Sequence, residues 1–228
     1  MMNQGIYQIC VTNRALAGIE KLSLELAENS YGSVCDGTQS IGWIAEYAGK
    51  IERALQQKPD ALILREKDLT EEEYERLAVV VLRLCHHYNV KCFLNNFVKS
   101  AIRLKAHRIQ LSISRFLELT ASERDAFSEI IVSVHSVDEA LLAESKGADA
   151  IIAGHIFSTD CKKGVPPRGL AFLSDVCQAV TIPVYAIGGI HMKKRQEDKL
   201  IVAGDCTASQ CIEAGAAGVC MMSEYMKV

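Results

Sequence analysis

Two adjacent glycines, Gly188-Gly189, close the apolar run 182–187, and that pairing suits an anion. Without a Cβ in the way, backbone N–H groups can close on a phosphate or carboxylate. Met222-Ser223 ends a second apolar run at what reads as a helix start, where unpaired N–H groups and the helix dipole favour negative charge. A turn serving geometry alone is the competing reading of the glycine pair. His135 follows the apolar run 129–134 and precedes a helix cap, so its imidazole, with an ordinary pKa near working pH, can take and return a proton. A histidine that only hydrogen-bonds the next turn is the plain alternative. His155 has a similar position, as a contact for a ligand or as the residue that orders the loop 156–164. Arg65 and Lys67 alternate on an extended chain and can share one face as an anion clamp, or form a solvated strand end. Lys162 and Lys163, in a loop with Thr159 and Gly164, offer further positive charge. His86, His87, His107 and His191 read as surface or packing residues.

The elements that must position these residues follow a rhythm. Short aliphatic runs at 6–12, 61–65, 91–94, 107–111, 129–134, 149–154, 182–187 and 217–221 are mostly continuous, the pattern of parallel strands buried on both faces. Helical patterns lie between them. Residues 70–88 open with Thr70 and Glu73, and 136–146 open with Ser136 and Glu139, each spaced as a capping box. Residues 169–180 and 207–214 are helical in the same way, and Gly147 and Gly215 close two of these stretches. Eight strands alternating with helices predict an α/β fold, a single-domain (β/α)8 TIM barrel spanning 1–228. A doubly wound sheet is the rival, but no G-x-G-x-x-G follows the first strand. In the barrel, the chemistry gathers at the carboxyl ends of the strands, and the loops after strands 7 and 8 are the usual phosphate site. Segment 15–59 is long and turn-rich at its centre, and 191–205 is a charged insertion. The chain stops soon after strand 8, so the last helix is expected to be short or missing, with a second copy as the simplest cover for that side.

Composition narrows the function further. A net charge of −3, from 25 basic and 28 acidic residues, argues against a nucleic-acid grip. The nine cysteines contain no C-x-x-C pair and no zinc-finger spacing, and they sit largely in apolar runs, as reduced thiols of a cytoplasmic protein would. No signal-like leader and no span-length apolar run is visible, so secretion and a membrane partner are not expected. The strand-3 and strand-4 ends carry Asn95-Asn96 and Ser112-Ile113-Ser114, with no carboxylate to grip Mg²⁺. Metal-assisted pyrophosphate chemistry is disfavoured.

The stretches Val11-Thr12-Asn13-Arg14, Leu64-Arg65-Glu66-Lys67, Ser133-Val134-His135-Ser136, 154–164 (GHIFSTDCKKG), 186–190 (AIGGI) and Met221-Met222-Ser223 resemble the thiamine phosphate synthase/TenI superfamily. The likeness runs from about 60 to 223 and leaves out 15–59 and 191–205. SVHS together with GHIFSTDCKKG is similar to the TenI branch, the thiazole tautomerases. Synthases join a pyrimidine pyrophosphate to a thiazole phosphate and hold Mg²⁺ on acidic residues after strands 3 and 4, where this chain has Asn96 and Ser114. Ile63 stands where synthases carry a glutamine. The tautomerase resemblance implies a cofactor-free isomerisation that aromatises a carboxythiazole phosphate, with His135 as the proton carrier. It also implies a phosphate grip from Gly188, Gly189, Met222 and Ser223, with Thr159 and Lys162 in a loop over the substrate. Arg65, Lys67, Asn95 and Ser133 match pyrophosphate-holding positions of the synthases and here either hold a substrate carboxylate or are remnants. The alternatives are the Mg²⁺-dependent synthase itself and a non-catalytic, regulatory thiazole-phosphate binder.

Overall fold

The computed structural model describes residues 6–19, 42–162, 164–192 and 206–227. Eight strands, β1 (Tyr7–Val11), β2 (Ala61–Leu64), β3 (Lys91–Asn95), β4 (Arg108–Ser112), β5 (Glu129–Val134), β6 (Ala150–Gly154), β7 (Val184–Ile187) and β8 (Gly218–Met221), form a closed parallel barrel. β1 pairs with both β2 and β8, which closes the ring. This is the expected (β/α)8 barrel, and each observed strand falls within a residue or two of its sequence-predicted run.

Period-2 alternation divides the strand residues between two cores. Ile9, Val11, Ala61, Ile63, Phe93, Ile131, Ala150, Ile152 and Cys220 fill the interior, with Tyr7 stacked on Tyr185 at 5.3 Å between ring centroids. The intervening residues, such as Leu62, Leu64, Leu94, Ile109 and Leu111, face outward into a larger core beneath the helices. A strand buried on both faces has no room for polar residues in its middle. They collect at the ends, and that is where the site lies.

The helices are α1 (Gly42–Gln56), α2 (Glu71–His87), α3 (Val98–Arg103), α4 (Ile113–Leu117), α5 (Ala121–Asp125), α6 (Val137–Ser145), α7 (Gly169–Ala179), α8 (Thr207–Glu213) and α9 (Ser223–Met226). Thr70 and Glu73 form the expected capping box at the start of α2, a device worth about 0.5–2 kcal/mol. At Ser136 the hydroxyl accepts from the Glu139 N–H, while the Glu139 carboxylate turns to the His135 N–H. Much of segment 15–59 is ordinary barrel structure. α1 supplies the β1–β2 crossover, burying Trp43, Ile44, Tyr47, Ile51, Ala54 and Leu55 at helical spacing. Its centre, 20–41, and residues 193–205 of the charged insertion lie outside the described residues. The last helix is short, as expected: α9 has four residues and buries Tyr225 and Met226, with α1 beside it. Among the described residues, no helix is long and apolar enough to cross a membrane.

Candidate active site

The strand alternation continues past the carboxyl ends and decides which side chains enter the mouth. Inward parity runs from Ile63 to Arg65 and Lys67, from Phe93 to Asn95, from Ile131 to Ser133 and His135, and from Cys220 to Met222. Arg65, Lys67, Asn95, Ser133, His135 and Met222 line one cavity of about 600 Å³ at the carboxyl end of the barrel, within the size range of small-molecule sites. Gly188, Gly189, Ser223, His155, Thr159 and Lys162 line it as well, so these candidates come to one place, while Lys163 lies outside the described residues.

Gly188 and Gly189 adopt φ of +102° and +65°. A Cβ on Gly188 would stand 2.3 Å from the Cβ of His155, and one on Gly189 would stand 2.5 Å from the Ser158 carbonyl oxygen. The loop after β6 therefore packs directly on this turn, and any side chain would force the two apart. Close packing accounts for the geometric reading of the glycine pair, and the turn lines the cavity beside Met222 and Ser223.

His155 is 4% exposed, and its Nε2 lies 3.3 Å from the Val165 carbonyl. The peptide bond preceding it is cis. Its ring thus ties down the far end of the loop 156–164 while its edge contributes to the cavity wall.

His135 is the more exposed imidazole. Its side chain is 43% accessible, and its Nδ1 lies 3.6 Å from Glu139 Oε2. The same carboxylate oxygen accepts the His135 backbone N–H at 2.5 Å, which fixes the turn from β5 into α6. Desolvation and then the positive Lys162 push the imidazole pKa below its ordinary 6.5; Glu139 pulls it up and Arg168 adds to the lowering. At neutral pH the ring is uncharged and can accept a proton.

Arg65, Lys67 and Lys162 gather positive charge on the β2 and β6 side of the mouth. Arg65, then burial, then Lys162 lower the pKa of Lys67. Like charges held this close, without a paired carboxylate among the described residues, form a field that a ligand anion would relieve.

Sequence reasoning missed the floor of the site. Gln110 is 5% exposed in the middle of β4, among apolar neighbours. Asn95 Nδ2 donates to its Oε1 at 2.5 Å, and Gln110 Nε2 donates at 2.8 Å to Ser133 Oγ. The three side chains form a polar relay across β3, β4 and β5. The signal was an amide at an inward parity position, legible only once the parity of β4 is known. His191, read as a surface or packing residue, is indeed exposed, with 62% of its side chain accessible, but it stands at the rim of the cavity. The tight turn at Gly188-Gly189 carries the chain over the mouth, so His191 lines the cavity with its Nδ1 3.0 Å from Glu224 Oε1.

The rim positions that could hold a divalent ion are occupied by other work. Asn96 has φ +60°, and its Oδ1 accepts the Ser112 N–H at 3.0 Å. Ser112 caps α4 and lies 3.1 Å from Ser114, hydroxyl to hydroxyl. Among the described cavity residues the single carboxylate is that of Asp160. No group of three or more His, Cys, Asp or Glu side chains forms a metal-binding set among the described residues. This donor set does not fit a Mg²⁺ ion, which needs carboxylate oxygens.

The thiamine monophosphate synthase family matches residues 34–225, a span that takes in α1, which lies outside the expected likeness from about 60 to 223. A thiamine-phosphate synthase from Pyrococcus abyssi is 30% identical over 176 residues, 77% of this chain and 79% of that one. One from Pyrococcus horikoshii is 33% identical over 147 residues, 64% and 71% of the two chains. A thiamine phosphate pyrophosphorylase structure from Pyrococcus furiosus superposes with a TM-score of 0.67 at 25% identity, covering 98% of this chain and 88% of its own. With its barrel closed in the same way and its strand-end motifs gathered in one cavity, the chain belongs to the thiamine monophosphate synthase/TenI family.

Proposed function

We propose that this protein is a cofactor-free isomerase of the thiazole tautomerase type, acting on a carboxythiazole phosphate. One observation carries the reading: an accessible imidazole with a lowered pKa, His135, shares a cavity with the Gly188-Gly189 turn and a cationic cluster, while the rim positions suited to a metal hold Asn96 and Ser114. Neutral His135 takes the ring proton next to the substrate carboxylate and becomes an imidazolium. It then returns a proton to the exocyclic carbon, and the ring becomes aromatic. Aromatisation provides the driving force, so the protein contributes orientation and anion binding. Gly188, Gly189, Met222 and Ser223 hold the phosphate. Arg65 and Lys67 hold the carboxylate, Thr159 and Lys162 cover the ligand, and Asn95 and Ser133 order the floor through Gln110.

The names of the relatives favour a second reading, transfer of a pyrimidine group from its pyrophosphate to a thiazole phosphate. Among the described residues the cavity offers that reaction no pair of carboxylates for Mg²⁺. Incubation with the unaromatised carboxythiazole phosphate, with and without chelator, separates the two. The expected result is a chelator-insensitive rise of the aromatic ultraviolet absorbance. Release of pyrophosphate from the two transferase substrates, abolished by chelator, would overturn it. Tight thiazole-phosphate binding without conversion would instead mark a non-catalytic binder.

A further inference from the structure

We infer that His191, held by Glu224, is an additional contact for the ligand's phosphate group, and that its protonation sets how tightly the cradle holds a dianion. The inference rests on the phosphate cradle proposed above. His191 lies two residues past Gly189 and lines the same cavity wall, as do Ser223 and Lys227 of the α9 segment. Its Nδ1 is 3.0 Å from Glu224 Oε1, and its backbone is anchored on α8: the His191 N–H donates to Thr207 Oγ1 at 2.7 Å, and Cys206 Sγ donates to the His191 carbonyl at 3.1 Å.

A carboxylate only accepts hydrogen bonds, so it claims the Nδ1 proton of the ring whatever the charge state. In the neutral ring Nε2 then carries a lone pair, which a phosphate oxygen repels. In the imidazolium Nε2 donates, and the same ring can bridge Glu224 and the ligand. Glu224 itself is a negative charge beside an anion site, and protonated His191 neutralises it. Among the described residues, Glu224 of α9 stands against the imidazole, Cys206 and Thr207 hold the His191 backbone, and Lys227 lines the same cavity.

The probe is inorganic sulfate, a stand-in for the phosphate group that remains a dianion over roughly pH 5.5 to 8.5, the range in which imidazole titrates. Sulfate affinity, measured by calorimetry, should fall about tenfold with rising pH, the worth of one charge-assisted hydrogen bond. His191→Asn should flatten the profile at the high-pH level, and Glu224→Gln should raise affinity at high pH by removing the repelling charge. His87→Asn, at the end of α2 and away from the cavity, should keep the wild-type profile. A His191→Asn protein that retains the wild-type pH profile overturns the inference. Ser223→Asp tests the cradle separately, because a carboxylate placed there should abolish sulfate binding. If that variant binds as the wild type does, the cradle fails and this contact fails with it.

Discussion

His135 is a base whose strength is set by its neighbours. Desolvation and Lys162 lower its pKa, and Glu139 opposes them. Its neutral form therefore persists to a lower pH than a free imidazole's would. The acid limb of kcat/KM should fall only as pH drops through a value below 6.5. Lys162→Met should move that limb to higher pH, and Glu139→Gln should move it lower. A limb that stays put in both variants would show that His135 is not the titrating group. His135→Ala should lower turnover by ~10²-fold or more while leaving the circular dichroism spectrum unchanged. Full activity in that variant would dismiss the histidine from the chemistry.

At the scale of elements, the site depends on contacts that hold one strand end against the next. Tyr74 of α2 is fully buried; its hydroxyl donates to the Leu64 carbonyl at 2.7 Å and accepts the Asn95 N–H at 2.8 Å. One phenol thus joins the ends of β2 and β3, between the cationic pair and the polar floor. Tyr74→Phe should cost about 1–3 kcal/mol, because a buried N–H loses its acceptor. A Tm equal to the wild type's would mean water replaces the hydroxyl without penalty. Such ties were not legible from residue types. The capping box of α2 was, since its two members are three residues apart in the chain. The apolar spacing of α1 was equally local, but the turn-rich stretch before it drew the whole of 15–59 into one irregular segment.

The barrel as a whole carries one buried ionisable cluster that links its first two strands. Glu66 is 3% exposed. It accepts from Thr12 Oγ1 at 2.7 Å, Tyr47 hydroxyl at 2.5 Å and the Arg14 N–H at 3.1 Å. The Arg14 guanidinium in turn reaches Asp68 and stacks over Trp43. Burial raises the Glu66 pKa above 4.5, and the three donors only partly offset it. A raised folded-state pKa means the folded protein holds that proton more tightly. The contribution is complete below 4.5 and is lost as pH rises through the higher folded value. Glu66→Gln should remove this downward slope from denaturant-derived stability measured between about pH 4 and 8. Identical slopes in the two proteins would show the carboxyl to be unperturbed. Glu71, Glu123 and Glu144 have lowered pKa values and act in the opposite direction, but they are common to both proteins and cancel in the difference.

Alternating apolar and amphipathic runs, the glycine pair and the strand-end residues were enough to establish the barrel and bring its candidate residues to one mouth, because periodicity and turn chemistry are local properties of the chain. Tertiary structure alone decided three things. Asn96 turns its oxygen to the Ser112 N–H. Gln110 links Asn95 to Ser133. His191 swings over the cavity to meet Glu224, 33 residues further along the chain. Each depends on which residues stand opposite one another once the ring of strands closes, and that register is set by pairings between distant segments rather than by any single stretch of sequence.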